Sequence, residues 1–96
     1  MQHRTVAPAT VTVLLPPALV ALFPGSQAEV EVTASTVDGM IDALNARWRG
    51  MRDRLCDSTP AIRRHINIFV EGRRATLQTP LAPGTQVYVL TAMSGG

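Results

Sequence analysis

An apolar stripe in the middle of the chain is the feature that most restricts its fold. Thr36 is a good N-cap residue, and Asp38 suits the first turn of a helix, where the helix dipole favours negative charge. Apolar residues then recur at spacings of three and four: Val37, Met40, Ile41, Leu44, Trp48, Met51 and Leu55. This spacing predicts one long amphipathic helix that ends at residues 57–60, with Trp48 in its buried face.

Residues that alternate between apolar and polar flank this helix and predict strands. The alternating segments are residues 10–15, 29–33, 66–70 and 87–90. Residues 16–28 form a loop with room for one helical turn. Glu71-Gly72 is a plausible two-residue hairpin turn, after which residues 73–77 suggest a short return strand.

The order β-β-α-β-(β)-β predicts an α+β domain of the β-grasp kind. We expect a mixed sheet of four to five strands with one main helix across one face. The strand residues that would face the helix are Val11, Val13, Val30, Val32, Ile66, Ile68, Val87 and Val89.

Length and composition indicate one globular domain. The chain has 96 residues, of which 46% are apolar, and its net charge is +2. We expect a disordered extension at residues 1–9, the β-grasp domain at 10–90 and a flexible C-terminal tail at 91–96. All nine basic residues are arginine, but they form no dense basic stripe with aromatic residues, so nucleic acid is not an expected partner.

The N-terminal third imitates a signal peptide, with Arg4 before an apolar run and small residues near Ala28. Pro16-Pro17 interrupts that run, which is also too short to span a bilayer. A single cysteine, Cys56, fits a reducing compartment. We therefore expect a cytoplasmic protein that does not bind membranes and is a monomer when free.

The sequence ends in Ser94-Gly95-Gly96, directly after the last predicted strand. Glycine has no Cβ, so another protein can approach such a backbone closely. Fully extended, the six residues of the tail would reach roughly 20 Å. This is far enough to place the Gly96 carboxylate in the active site of a partner.

The strand and turn at residues 66–72, the Leu81-x-Pro-Gly-x-x-Val87 segment and the terminal Gly95-Gly96 resemble those of the ubiquitin-like sulfur carriers. This family includes the small subunit of molybdopterin synthase, the thiamin sulfur carrier and the carrier of thiocarboxylate-dependent cysteine synthesis. The resemblance covers residues 11–96. Residues 64–70 look most similar to the cysteine-synthesis carriers.

The resemblance implies that Gly96 is the reacting residue. In this family an E1-like partner enzyme adenylates the C-terminal glycine with ATP, and sulfur then displaces AMP to leave a thiocarboxylate. A downstream synthase accepts the sulfur. Gly95 and Ser94 would be needed for the tail to enter the partner. The carrier itself binds no cofactor, contributes no catalytic side chain and is not an enzyme.

The remaining chemistry-bearing residues agree with a carrier. We expect Cys56 to have no histidine partner, because His65 begins a strand and His3 lies near the N-terminus, so Cys56 is interpreted as a buried structural thiol. One cysteine and two histidines without ligand spacing predict no metal site. No glycine-rich loop opens a helix, so ATP would bind to the partner.

Four apolar residues would lie on the sheet face opposite the helix: Leu14, Phe69, Tyr88 and Leu90. In β-grasp topology their strands are neighbours, so they predict one exposed apolar patch. Such a patch commonly marks a protein interface. We call these four residues the outer-face patch and predict that they bind the partner enzyme.

Two alternatives to a sulfur carrier remain open. A ubiquitin-like modifier would be joined through Gly96 to lysines of other proteins. Because this protein has no lysine, its own copies could not be linked to one another by isopeptide bonds. A non-covalent interaction module would use neither Gly96 nor ATP. The residues also leave open whether the sulfur enters molybdopterin, thiamin or cysteine.

Overall fold

The computed structural model describes residues 8–91, which contain five strands and three helices. In chain order these are β1 (Ala9–Leu14), α1 (Pro17–Leu22), β2 (Glu29–Ala34), α2 (Val37–Arg47), α3 (Met51–Leu55), β3 (Ile66–Val70), β4 (Arg73–Arg74) and β5 (Gln86–Thr91). The ordered strands thus begin at residue 9 and end at residue 91. Residues 1–7 of the predicted extension and residues 92–96 of the predicted tail lie outside the described residues, and the division into three segments stays a prediction.

The strands form one mixed sheet in the order β2-β1-β5-β3-β4. The central strand, β5, is parallel to its neighbour β1, and every other neighbouring pair is antiparallel. The predicted α+β β-grasp fold is confirmed. All eight strand residues expected to face the helix are buried, together with Met40, Ile41 and Leu44 of α2. Burying this apolar surface between sheet and helix is the main driving force for the fold.

The hairpin between β3 and β4 turns at Glu71-Gly72, as predicted. Both residues have positive φ, 53° and 78°, as a two-residue turn that follows the twist of the strands requires. The return strand is shorter than predicted, because it ends at Arg74. The chain then turns towards α2, where the Leu77 carbonyl accepts a hydrogen bond from the Asp38 amide (2.9 Å) and the Thr79 carbonyl accepts one from the Val37 amide (3.0 Å). These bonds satisfy first-turn amides that have no partner within the helix.

The prediction of one long helix is wrong, because the helix breaks between Arg47 and Met51. Gly50 has φ +96°, a left-handed conformation that glycine adopts without steric cost. The Asn45 side chain stabilises the break: its Oδ1 accepts hydrogen bonds from the amides of Gly50 and Arg52, both at 3.1 Å. Arg52 on α3 also donates to carboxylates on α2, including that of Asp42 at 2.8 Å.

Trp48 consequently does not lie in the buried stripe. It is the C-cap residue of α2 and has extended backbone angles. Its side chain is only half-buried, and the Arg47 guanidinium lies 4.9 Å from the centre of its ring. Met51 and Leu55 are fully buried. The apolar face of the sequence pattern is therefore shared by two helices, with Trp48 at the join.

We expect Asn45→Ala to reduce the free energy of unfolding by about 1 kcal/mol, the usual cost of removing a helix cap. The substitution leaves the Gly50 and Arg52 amides without their acceptor. Chemical denaturation of Asn45→Ala and of the control Ala46→Ser, an exposed position on the same helix, would measure the difference. Equal midpoints for the two variants would show that the Asn45 side chain does not stabilise the break.

Candidate functional site

The candidate site begins where β5 leaves the centre of the sheet. β5 lies between β1 and β3, and its last residue, Thr91, is opposite Ile66 at the start of β3. Residues after Thr91 therefore start from this end of the sheet. Ser94, Gly95 and Gly96, the residues predicted to be activated or to enter the partner, lie outside the described residues.

A single row of side chains crosses all five strands on the outer face of the sheet. The strand register places them side by side in the order Glu29, Leu14, Tyr88, Phe69 and Arg74. Because side chains on a strand alternate between faces, none of these five belongs to the buried set. The row has a negative end on β2, an apolar centre and a positive end on β4.

The outer-face patch is thus one continuous surface, as expected from the topology. Leu14, Tyr88 and Phe69 form its centre, and Leu90 lies one outward position further along β5, opposite Asn67. Tyr88 is 44% exposed and Leu90 45%, whereas Leu14 and Phe69 are half-buried. Apolar side chains this exposed on a sheet face are typical of protein interfaces.

The charged ends of this row were missed by the sequence analysis. Glu29 and Arg74 are distant in sequence from each other and from most of the patch. Only the pairing register places them beside Leu14 and Phe69. The alternation of residues 29–33 identified the outward face of Glu29, but the pattern of one strand does not reveal its neighbour's register.

Cys56 is buried at the end of α3, as expected. Burial raises the pKa of its thiol, although the nearby Arg52 acts in the opposite direction. A neutral, inaccessible thiol is a poor nucleophile. Within residues 8–91, no cluster of three or more His, Cys, Asp or Glu side chains could hold a metal ion. No helix in that part of the chain is both long and apolar enough to cross a membrane.

Comparison with known proteins decides the family. The profile of the ThiS family matches residues 13–96, which include the whole C-terminal tail. The chain belongs to the ThiS family. It is also 33% identical over 78 residues to the sulfur carrier protein CysO of Mycobacterium tuberculosis, a match that covers 75% of this chain and 84% of the relative. The resemblance to ubiquitin-like sulfur carriers is thereby confirmed.

Solved structures agree with this ThiS-family assignment. A chain of the Amycolatopsis orientalis BexX/CysO complex superposes with a TM-score of 0.81 at 29% identity, covering 90% of this chain and 99% of that chain. CysO of M. tuberculosis gives 0.77 at 30% identity, covering 86% and 99%. SAMP1 of Haloferax volcanii gives 0.77 at 23% identity, covering 92% and 100%. At that identity, the SAMP1 match supports the fold alone.

Proposed function

We propose that this protein is a sulfur carrier whose Gly96 carboxylate becomes a thiocarboxylate. The observation that supports this most strongly is the ThiS-family match, which extends through Gly96. An E1-like partner would use ATP to adenylate the carboxylate, with release of pyrophosphate. A sulfur nucleophile would then attack the acyl carbon and displace AMP, so that one oxygen of Gly96 is replaced by sulfur. The chain supplies the acyl group, and the partner supplies the catalytic groups and binds the ATP.

We further propose that the sulfur is used in cysteine biosynthesis. The curated relatives that support this are CysO sulfur carriers, at 33% identity. A synthase that accepts sulfur from the carrier would be the second partner. Delivery of sulfur to molybdopterin or thiamin would use the same tail and is the alternative destination.

Intact-mass measurement tests the function. The full chain is incubated with the E1-like enzyme of its own organism, ATP and a sulfur donor. We expect the mass to rise by one oxygen-to-sulfur exchange, only when ATP is present. Conjugates of higher mass with lysine-containing proteins would instead identify a modifier. An unchanged mass would identify a non-covalent interaction module and contradict the proposal.

The outer-face patch is the proposed docking surface for the activating enzyme. Two of its residues, Tyr88 and Leu90, lie on β5, the strand that leads into the tail, so a partner bound there would be close to the residue it activates. The charges at the two ends of the row would orient that partner. Its matching surface would place a basic group near Glu29 and an acidic group near Arg74, with an apolar area between them.

We expect Leu90→Glu to weaken binding to the activating enzyme at least tenfold and to leave stability nearly unchanged, because Leu90 is already 45% exposed. The matched control is Leu22→Glu, which makes the same substitution at a leucine of similar exposure. Leu22 lies on α1, is 49% exposed and is away from the patch. Isothermal titration of both variants against the enzyme measures the contrast. Equal affinities for the two variants would exclude the patch as the docking surface.

A further inference from the structure

A groove of about 410 Å³ lies along the free side of β3. One wall is the loop at residues 60–64, and the other is the chain that leaves β4, residues 74–78. Its floor is apolar, with buried Ile66, Ile68 and Leu77. The volume falls within the range of known ligand sites, roughly 300–1,000 Å³.

The backbone of β3 presents two unused hydrogen-bonding groups to this groove. In an antiparallel sheet the backbone groups of successive residues bond to opposite neighbouring strands. The Ala75 amide donates to the Ile68 carbonyl (2.7 Å). The backbone amides and carbonyls of Ile66 and Ile68 therefore both point to the β4 side of β3. The Ile66 amide donates to the Arg63 carbonyl (2.9 Å). Within residues 8–91, the Ile66 carbonyl and the Ile68 amide have no such backbone partner, because the chain turns away after Ala75.

The positions of these two groups select one kind of partner. A carbonyl at one residue and an amide two residues later serve an added strand of either direction, but a parallel strand bonds to both through a single residue, whereas an antiparallel strand uses two residues. The Ile66 amide and the Ile68 carbonyl are already bonded to Arg63 and Ala75, which leaves a place opposite Asn67 for one residue and favours the parallel direction. One residue of that strand would lie opposite Asn67, donate its amide to the Ile66 carbonyl and accept a hydrogen bond from the Ile68 amide. Buried or half-buried backbone groups of this kind are normally paired in native structures.

The rim of the groove is strongly basic. Arg63, Arg64 and Arg74 line it, and no acidic residue among residues 8–91 does. Arg63 donates through Nε to the Asp53 carbonyl (2.7 Å), and Arg74 donates through Nη2 to Asn67 Oδ1 (2.6 Å). Neither bond neutralises a guanidinium charge, because both acceptors are neutral. The side chains that suit this rim are carboxylates.

The acidic residue that precedes this loop, Asp57, is bonded to the loop itself. Asp57 accepts hydrogen bonds from the Thr59 hydroxyl, the Thr59 amide (2.9 Å) and the Ala61 amide (3.0 Å). These bonds, that of the Thr59 hydroxyl above all, lower the pKa of the Asp57 carboxyl. Asp57 therefore holds the wall of the groove in place, and its charge also interacts with Arg63. Among residues 8–91, neither Arg64 nor Arg74 forms an ion pair.

We propose that this groove binds an extended acidic segment of a partner protein, one residue of which pairs with β3 opposite Asn67 in the parallel direction. Alternate side chains of the segment would be apolar, against Ile66, Ile68 and Leu77, and the others would be carboxylates directed at the three arginines. The groove lies on the other side of β3 from β5 and is a second contact surface, which includes none of the four outer-face patch residues and shares only Arg74 with the row that crosses the sheet. Binding there does not require activation of Gly96, so it can be tested independently of the proposed function.

The probe is the capped peptide Asp-Val-Glu-Val-Asp, titrated into the full-length ¹⁵N-labelled chain at low ionic strength. We expect the largest chemical-shift changes at the amides of residues 66–68 and 75–77, with slower hydrogen exchange of the Ile68 amide. Two control peptides accompany it. Lys-Val-Lys-Val-Lys should bind at least tenfold more weakly, and an acidic peptide N-methylated at its central residue should lose affinity severalfold, because it cannot donate to the Ile66 carbonyl.

Paired variants separate the groove from general charge attraction. Arg64→Gln with Arg74→Gln should weaken binding of the acidic peptide roughly tenfold. Arg49→Gln with Arg54→Gln removes the same net charge from exposed positions outside the groove and should have little effect. Equal losses in the two double variants would overturn the proposal. So would equal binding of the lysine peptide, or an Ile68 amide whose shift and exchange rate do not change.

Discussion

Deletion of Gly96 should abolish sulfur loading and leave the free energy of unfolding unchanged. The reacting carboxylate would then belong to a residue one position closer to the domain, and it would no longer reach the site at which the partner adenylates it. Among residues 8–91 the last buried residue is Val89, and Leu90 already faces outward, so we expect removal of the last residue to leave the stability of the domain unchanged. Intact-mass analysis after activation, with circular dichroism of the same sample, measures both quantities.

Replacing Gly95 by leucine should have the same effect, because a bulky side chain would obstruct entry of the tail into the partner. The matched control is Ala82→Leu, which adds the same side chain to an exposed loop before β5. The control variant should load sulfur normally. Normal loading of the chain that lacks Gly96 would contradict the proposed chemistry, even if the outer-face patch still binds the enzyme.

Leu44→Ala should be among the most destabilising single substitutions, at about 3–4 kcal/mol. Leu44 lies on α2 and is fully buried in the core. Truncation removes its transfer free energy and leaves a cavity in a close-packed core. Urea denaturation followed by circular dichroism measures the change in the free energy of unfolding.

Trp48→Ala is the informative comparison. In a continuous buried helix, loss of this tryptophan would cost about 3–5 kcal/mol, more than the loss of Leu44. At the half-buried join between α2 and α3, we expect about 1–2 kcal/mol, in proportion to the smaller apolar area that is lost. A larger loss for Trp48→Ala than for Leu44→Ala would mean that the helix is not broken there.

The helix break illustrates why part of the fold could not be read from the chain. The spacing of apolar residues continues unchanged from Leu44 through Trp48 to Met51, and it is the same spacing that a straight helix requires. Gly50 was the only local signal. The Asn45 side chain caps α3 by accepting hydrogen bonds from amides five and seven residues later. The spacing of apolar residues does not reveal such side-chain bonds.

The outer-face patch illustrates the opposite case. Alternation along each strand determines which residues point outward, and β-grasp topology determines which strands are neighbours. Leu14, Phe69, Tyr88 and Leu90 could therefore be predicted to meet, and they do. The basic groove could not be predicted in this way, because Arg63, Arg64 and Arg74 surround one space only where the chain leaves β4 earlier than its pattern suggests.

The sequence by itself determined the fold class, the buried strand faces and the resemblance to sulfur carriers, because these depend on patterns within short segments and on the terminal glycines. The tertiary structure alone decided where the helix breaks, which charged residues lie at the two ends of the outer row, and which backbone groups of β3 have no partner within residues 8–91. Each of these depends on contacts between residues that the apolar pattern does not connect, from five residues apart at the helix break to more than fifty across the sheet. Short-range periodicity predicts the face on which a residue lies, whereas only folding determines what lies beside it.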